Sequence, residues 1–236
     1  MKLNTFFSGA ALALASLGAQ AEIVVQWNFN SATTTPALKA SYTYNGEQSP
    51  SFSAIGGITL STVAGAGSTD GAADNDALNT TTYAAQGAGN LTRGIQVFFN
   101  TTGFENLVLS WDQRNSNTAS AWTTLMYTLD GSTWNQAQAF QMTVGGSFVN
   151  NTSFSFASIA GANDNPNFGI QLLASFAPNT SSCAGTAGTY GTAGTIRYDM
   201  LTVSGDVITA VPEPESYALM LAGLGLIGVT LRRRRA

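Results

Sequence analysis

Trp122-Thr-Thr-Leu-Met-Tyr-Thr-Leu-Asp-Gly-Ser-Thr-Trp134 reads as a strand, a tight turn and the start of a partner strand. Trp122, Thr124, Met126 and Thr128 alternate with a second set of side chains, the period of an extended chain whose two faces differ. Asp130-Gly131 then supplies the pair of residues that most readily takes the positive φ angles of a hairpin turn.

Working outward, the same period recurs between turn residues. Upstream, Ile23, Val25, Trp27 and Phe29 face one way, with Val24, Gln26 and Asn28 opposite. Ile58 and Leu60 alternate with Thr59 and Ser61, Ile95 with Val97 and Phe99, and Leu107 with Leu109 and Trp111. Downstream come Phe140, Met142 and Val144, then Phe154 and Phe156, then Phe168, Ile170 and Leu172, and a last strand over 196–203. Roughly nine strands with no internal helix predict an all-β fold, two antiparallel sheets packed as a β-sandwich or jelly roll. Trp27, Trp111 and Trp122 lie in the alternating runs and are expected in the core.

Residues 31–53 and 65–89 are rich in Thr, Ala, Ser, Asn and Gly and read as surface loops or irregular edge strands. The low-complexity run 185–195 reads as a flexible loop tip. No repeat or linker divides the middle, so residues 22–209 are expected to form one ectodomain, long enough for a real core.

Charge and composition narrow the chemistry. Within 22–209, Lys39, Arg93, Arg114 and Arg197 stand against eleven acids, a net charge of −7. Nothing basic is gathered for nucleic acid, which is not expected as a partner. The chain has no histidine, which removes the commonest neutral-pH base and excludes Ser-His-Asp and Cys-His catalysis. A carboxylate pair can cleave a glycoside. Glu105 and Asp112 flank one strand, but nothing in the sequence aims them at a common cleft, so the chain is read as non-catalytic. Cys183 is the lone cysteine, so no internal disulfide forms. Left exposed, it would join two chains or be incidental.

The two ends carry addresses. Lys2, an apolar run over 6–17 and Ala19-Gln20-Ala21 form a secretory signal peptide, a signal helix over 1–21 cut after Ala21. Signal peptidase and the general secretion machinery are therefore expected partners. At the other end, Pro212-Glu213-Pro214 keeps the chain extended. About 15 apolar residues follow, 217–231, spanning roughly 22 Å as a helix. Arg232, Arg233, Arg234 and Arg235 come next. The span is shorter than a bilayer core of about 30 Å, but arginines snorkel and stay cytoplasmic. A short transmembrane helix through the inner membrane is expected, with the C-terminus cytoplasmic and the ectodomain outside.

Those three elements in that order resemble the PEP-CTERM sorting signal of Gram-negative bacteria, over 210–236. The resemblance implies recognition of Pro212, Glu213 and Pro214 by an exosortase, with Arg232–Arg235 as the terminal cluster. It further implies release or transfer to the cell surface, usually in organisms that make exopolysaccharide. A structural or adhesive role in a biofilm or floc matrix is the expected function, with a carbohydrate-binding module of defined glycan specificity as the alternative and a polysaccharide-acting enzyme as the third reading.

The segments 107–116, 125–134 and 196–205 resemble the sandwich of many such ectodomains and the discoidin or galactose-binding jelly rolls. In that pattern Trp134 packs inward, although its place after a tight turn also leaves it as a candidate glycan contact. Calcium prefers six to eight oxygen ligands. Asp70, Asp74 and Asp76, with an amide between them, offer several in one bendable loop. The resemblance adds Asp199, whose counterpart in some carbohydrate-binding jelly rolls holds a structural calcium. A solvated acidic turn explains the same residues, and both readings stand.

Overall fold

The computed structural model of the protein describes residues 21–30, 36, 38–46, 49–208, 220–224, 227 and 232–233. Ala19, Pro212, Glu213, Pro214, Arg234 and Arg235 lie outside the described residues, as does most of each terminal address. Residues 220–224, 227, Arg232 and Arg233 are helical. Among the described residues no helix is long and apolar enough to cross a membrane.

The all-β expectation holds. The strands are β1 (Ala21–Trp27), β2 (Tyr42–Thr43), β3 (Ser51–Ile55), β4 (Thr59–Ala64), β5 (Asp76–Thr81) and β6 (Gly94–Phe99). They continue with β7 (Phe104–Asn115), β8 (Trp122–Thr128), β9 (Asn135–Gln141), β10 (Phe148–Ser155), β11 (Phe168–Ser175) and β12 (Ile196–Val207). They form two sheets. In the seven-stranded sheet β10, β7, β12, β1 and β2 lie in that order, and β5 bridges β12 to β4. The five-stranded sheet runs β3-β6-β11-β8-β9. Every ladder between these strands is antiparallel. The long β12 is shared: residues 196–198 pair with β5 and residues 201–206 with β1.

The core is the sum of the inward-facing sets. Trp27, Phe29, Leu107, Leu109, Trp111, Ile196, Tyr198 and Val203 from one side meet Ile95, Val97, Phe99, Leu125, Phe168, Ile170 and Leu172 from the other. Edge-to-face rings tie the layers: Trp111 with Phe140 at 5.0 Å, and Phe156 with Phe168 at 5.1 Å. A polar seam also joins the sheets. Trp111 Nε1 donates to Gln113 Oε1, and Gln113 Nε2 donates to Asn115 Oδ1 and, across the layers, to Thr123 Oγ1 at 2.8 Å. Asn115 Nδ2 donates to the Ser120 carbonyl. Each member is buried and has a partner, the condition under which buried polar groups stabilise a fold.

Several expectations are corrected. Among the described residues there are twelve strands: β2 and most of β3 are the edge strands that 31–53 offered as an alternative to loop, whereas β5, within 65–89, pairs on both sides, with β4 and β12. The last strand runs on to Val207. In β8 the inward face is Thr123, Leu125 and Tyr127, so Trp122 is half-buried on the outer face rather than in the core. Val144 lies beyond β9 and is exposed. Cys183 is buried rather than exposed. The run 185–195 is strapped down rather than loose. Thr186, Ala187 and Gly191 donate backbone bonds to residues 117–119, and Tyr190 Oη donates to the Ala84 carbonyl at 2.6 Å. Gly194 allows this approach, since a Cβ there would stand 2.6 Å from the Ala119 backbone.

Candidate functional site

Two places on the sandwich gather chemistry, one on the outer face of each sheet. The first begins with Asp112 on β7 and Asp199 on β12, which are direct cross-strand partners. Their neighbours Trp111, Gln113 and Tyr198 point into the core, so both carboxylates face outward, yet both are buried. The connection between β4 and β5 covers them. It closes on itself where Gly65 N–H bonds the Asn75 carbonyl. It is pinned to the sheet where Thr69 N–H and Oγ1 donate to Asp112 Oδ2, the latter at 2.7 Å, and where Asn150 Nδ2 donates to the Gly67 carbonyl. Two bulges aim groups at the same place. In β10, Asn151 takes a φ of 55° and donates its N–H to Asp112 Oδ1. In β12, Met200 takes a φ of 47° and donates its N–H to Asp199 Oδ1 at 2.7 Å.

Asp112 is thus satisfied by three donors, whereas Asp199 is not. Its Oδ2 is buried without a hydrogen-bond partner, and so is Asn75 Oδ1. The two oxygens converge beside Gly65: both lie within 2.9 Å of the point a Cβ on that residue would occupy. Burial pushes the Asp199 carboxyl up to about 7. The nearby Ser68 hydroxyl and the Met200 N–H oppose the rise, and the carboxylates of Asp70 and Asp112 add to it. Asp70 is half-buried, accepting from Asn30 Nδ2 at 2.8 Å and from Ala72 N–H.

Of the four acids singled out in the sequence, the structure groups Asp70 and Asp199. Asp74 is exposed on the loop and Asp76 opens β5. Asp112 completes the cluster, and its sequence neighbours gave no sign of it. Two converging oxygens, with the Ser68 hydroxyl as the nearest side-chain donor, fit a cation with oxygen ligands at 2.3–2.6 Å. Among the described residues no three acidic or thiol groups form a ready-made cage. An ion here would draw on Asp199, Asn75 and nearby oxygens of the covering loop.

The second place is the outer face of the five-stranded sheet. Its five strands contain no Asp, Glu, Lys or Arg. Because Ile95, Val97 and Phe99 point inward, Gln96 and Phe98 point out. Gln171 Nε2 donates to Gln96 Oε1 at 2.7 Å, and Thr124 Oγ1 to Ser175 Oγ. Trp134, half-buried, packs on Phe98 with ring centroids 5.8 Å apart, so it faces outward and not into the core. Gly169 makes room for this pair, since a Cβ there would meet the Phe98 ring at 2.5 Å. A groove of about 200 Å³ opens at one end of the face, lined by Thr124, Gln136, Ala139, Ser175, Asn90 and Asn179 among others. The turn that presents Trp134 is fixed by Asp130. Its carboxylate accepts from Thr133 N–H and Ser132 N–H, which hold it well below the usual carboxylate range.

Glu105 and Asp112 do not share a cleft: Glu105 is exposed towards one end of β7, and Asp112 is buried under the loop.

No curated protein matches the chain. Among solved structures it is similar to the CBM22-1–GH10 modules of the Clostridium thermocellum endo-1,4-β-D-xylanase 10B, a complex with xylohexaose. The identity is 12%, over 69% of this chain and 27% of that one, with a TM-score of 0.44. The CBM22-1 xylan-binding domain of Paenibacillus barcinonensis Xyn10C matches at 13% identity over 82% of this chain and 99% of its own length, TM-score 0.40. The K2 cleaved adhesin domain of Lys-gingipain matches at 10% identity over 78% and 98%, TM-score 0.37. At these scores the overlap assigns neither family nor ligand. The C-terminus is more definite: residues 210–235 match the PEP-CTERM protein-sorting motif, which implies exosortase processing, export and sorting to the cell surface.

Proposed function

We propose that the chain is exported through its signal peptide, held briefly in the inner membrane by the C-terminal helix, and cut by an exosortase. The sandwich is then displayed at the cell surface or in the extracellular matrix. There it acts without catalysis, as a structural or adhesive component among exopolysaccharide in a biofilm or floc. The sorting motif over 210–235 supports the route. Replacing Pro212, Glu213 and Pro214 by alanine should strand the full-length protein in the inner membrane. Unchanged release and gel mobility would contradict that.

The observation that carries the adhesive role is the uncharged outer face of β3, β6, β8, β9 and β11. Sugars present hydroxyls around apolar ring faces. A surface of glutamine amides and hydroxyls beside a partly exposed tryptophan offers hydrogen bonds and a stacking plane at once. With no charge to desolvate, binding of a neutral polysaccharide would be insensitive to salt. Binding of the full chain to neutral polysaccharides, compared with Trp134→Ala, tests this. The variant should lose roughly tenfold in affinity, the worth of about 1.4 kcal/mol of stacking. Equal binding by both proteins would remove the face from the account.

A second reading concerns the covered acids. The unpartnered Asp199 Oδ2 and Asn75 Oδ1 favour a structural calcium ion that locks the β4–β5 connection onto the sheet. A rise in melting temperature with calcium over chelator supports it, and no shift counts against a tight site.

A further inference from the structure

Arg114 on β7 and Arg197 on β12 are direct cross-strand partners on the outer face of the seven-stranded sheet, one pair along from Asp112 and Asp199. They are two of only four basic residues in 22–209. Like charges directly opposite one another across an antiparallel pair are destabilising. Burial, and then the charge of Arg114, lower the pKa of Arg197. Neither guanidinium meets a carboxylate among the described residues. Asp112 is committed to Thr69 and Asn151, and Asp199 is covered by the loop. The arginines are instead held by carbonyls, Arg114 Nε by Gly146 at 2.7 Å and Arg197 Nη1 by Ala64 at 3.4 Å.

The pair stands in a row. Phe148 lies opposite Arg114 on one side, Asn79 opposite Arg197 on the other, and Ser61 opposite Asn79. The row crosses β10, β7, β12, β5 and β4, about 19 Å at the usual strand spacing. Arg197 Nε and Asn79 Oδ1 are buried without a partner, so the row meets a ligand through the outer nitrogens of the two half-buried guanidiniums. Two half-buried, pre-positioned guanidiniums suit planar oxyanions, which they bind in forked pairs. The half-buried Phe148 ring on one side and the Ser61 hydroxyl on the other suit the rest of a sugar.

We propose that this row binds a carboxylate-bearing polysaccharide, a uronate-type chain, with the carboxylate on Arg114 and Arg197. The site lies on the sheet opposite the uncharged face, so one molecule can hold an acidic and a neutral chain at once. The proposal rests on surface display, not on binding at the uncharged face.

The test is retention of the full chain, in mild detergent, on immobilised polygalacturonate, with dextran sulfate and uncharged dextran alongside. Polygalacturonate should be held, more weakly as salt rises. The double variant Arg114→Gln, Arg197→Gln should bind roughly tenfold more weakly, whereas Lys39→Gln and Trp134→Ala bind as the parent. Equal binding by the double variant, an equal loss in Lys39→Gln, or retention by dextran sulfate alone would overturn the proposal. Should the double variant fail to fold, the parent decides: polygalacturonate should shield Arg114 and Arg197 from an arginine-modifying dicarbonyl, read by mass spectrometry. Equal modification with and without polygalacturonate overturns it. Loss of neutral-glycan binding alone would touch only the uncharged face.

Discussion

The two sheets share a core and differ outside it. The five-stranded sheet has no charged residue in any strand, whereas the seven-stranded sheet holds Glu22, Asp76, Glu105, Asp112, Arg114, Arg197, Asp199 and Asp206. In a chain with so few charges, this separation divides the physics. The strands of one sheet carry ionisable groups on which salt and pH can act. The other is open only to hydrogen bonding and stacking. Two buried polar groupings make a second contrast. The Gln113–Asn115–Thr123 seam is complete, while the Asp199–Asn75 pocket has two oxygens without donors.

The largest effect comes from removing what both sheets share. Trp111→Ala deletes a fully buried ring and orphans Gln113 Oε1. It should cost about 3–5 kcal/mol in urea unfolding and impair both faces together. A loss under ~1 kcal/mol would mean that the layers are held otherwise.

A smaller effect should be confined to the charged sheet. Asp199 in the folded protein titrates near 7, above the 3.8 of an ordinary carboxyl. Between these values the folded state keeps a proton that the unfolded chain has released. This group's contribution to the stability of calcium-free protein is therefore full below about pH 4, falls as pH rises towards 7, and is flat beyond. Asp199→Asn should abolish both that slope and any calcium response, and at pH 8 in chelator should melt no lower than the parent. A retained calcium response would place the ion elsewhere. Trp134→Ala, the smallest change, should leave melting nearly untouched and alter only neutral-glycan binding.

The sequence showed the period of most strands but not always the side they face. The β8–β9 hairpin was legible at Asp130-Gly131, although only Gly131 takes a positive φ and the connection runs over 129–134; the inward sets of β6, β7 and β11 were legible because large apolar residues occupy one face throughout. In β8 both faces carry threonines and bulky side chains, so alternation left the sign open and Trp122 was placed on the wrong side. β5 was missed because Asp76-Ala-Leu-Asn-Thr-Thr81 looks like loop. Its Asn79 and Thr80 are buried by neighbours distant in sequence, Thr80 donating to the Ile196 carbonyl. The site was legible in part. Asp70 and Asp199 were named, but Asp112 joins them only through cross-strand register, and the convergence of Asn75 Oδ1 with Asp199 Oδ2 depends on the fold of the β4–β5 connection. The sequence leaves Trp134 either inward-packing or glycan-facing, and Phe98 and Gly169 on distant strands set it on the outer face.

Surface display depends on processing at both ends, and mass spectrometry of the protein recovered from the producing cells reads both at once. The account predicts a chain that begins at Glu22 and lacks Arg232–Arg235. A chain recovered intact from the cytosol, with Met1 and the four arginines in place, would contradict it.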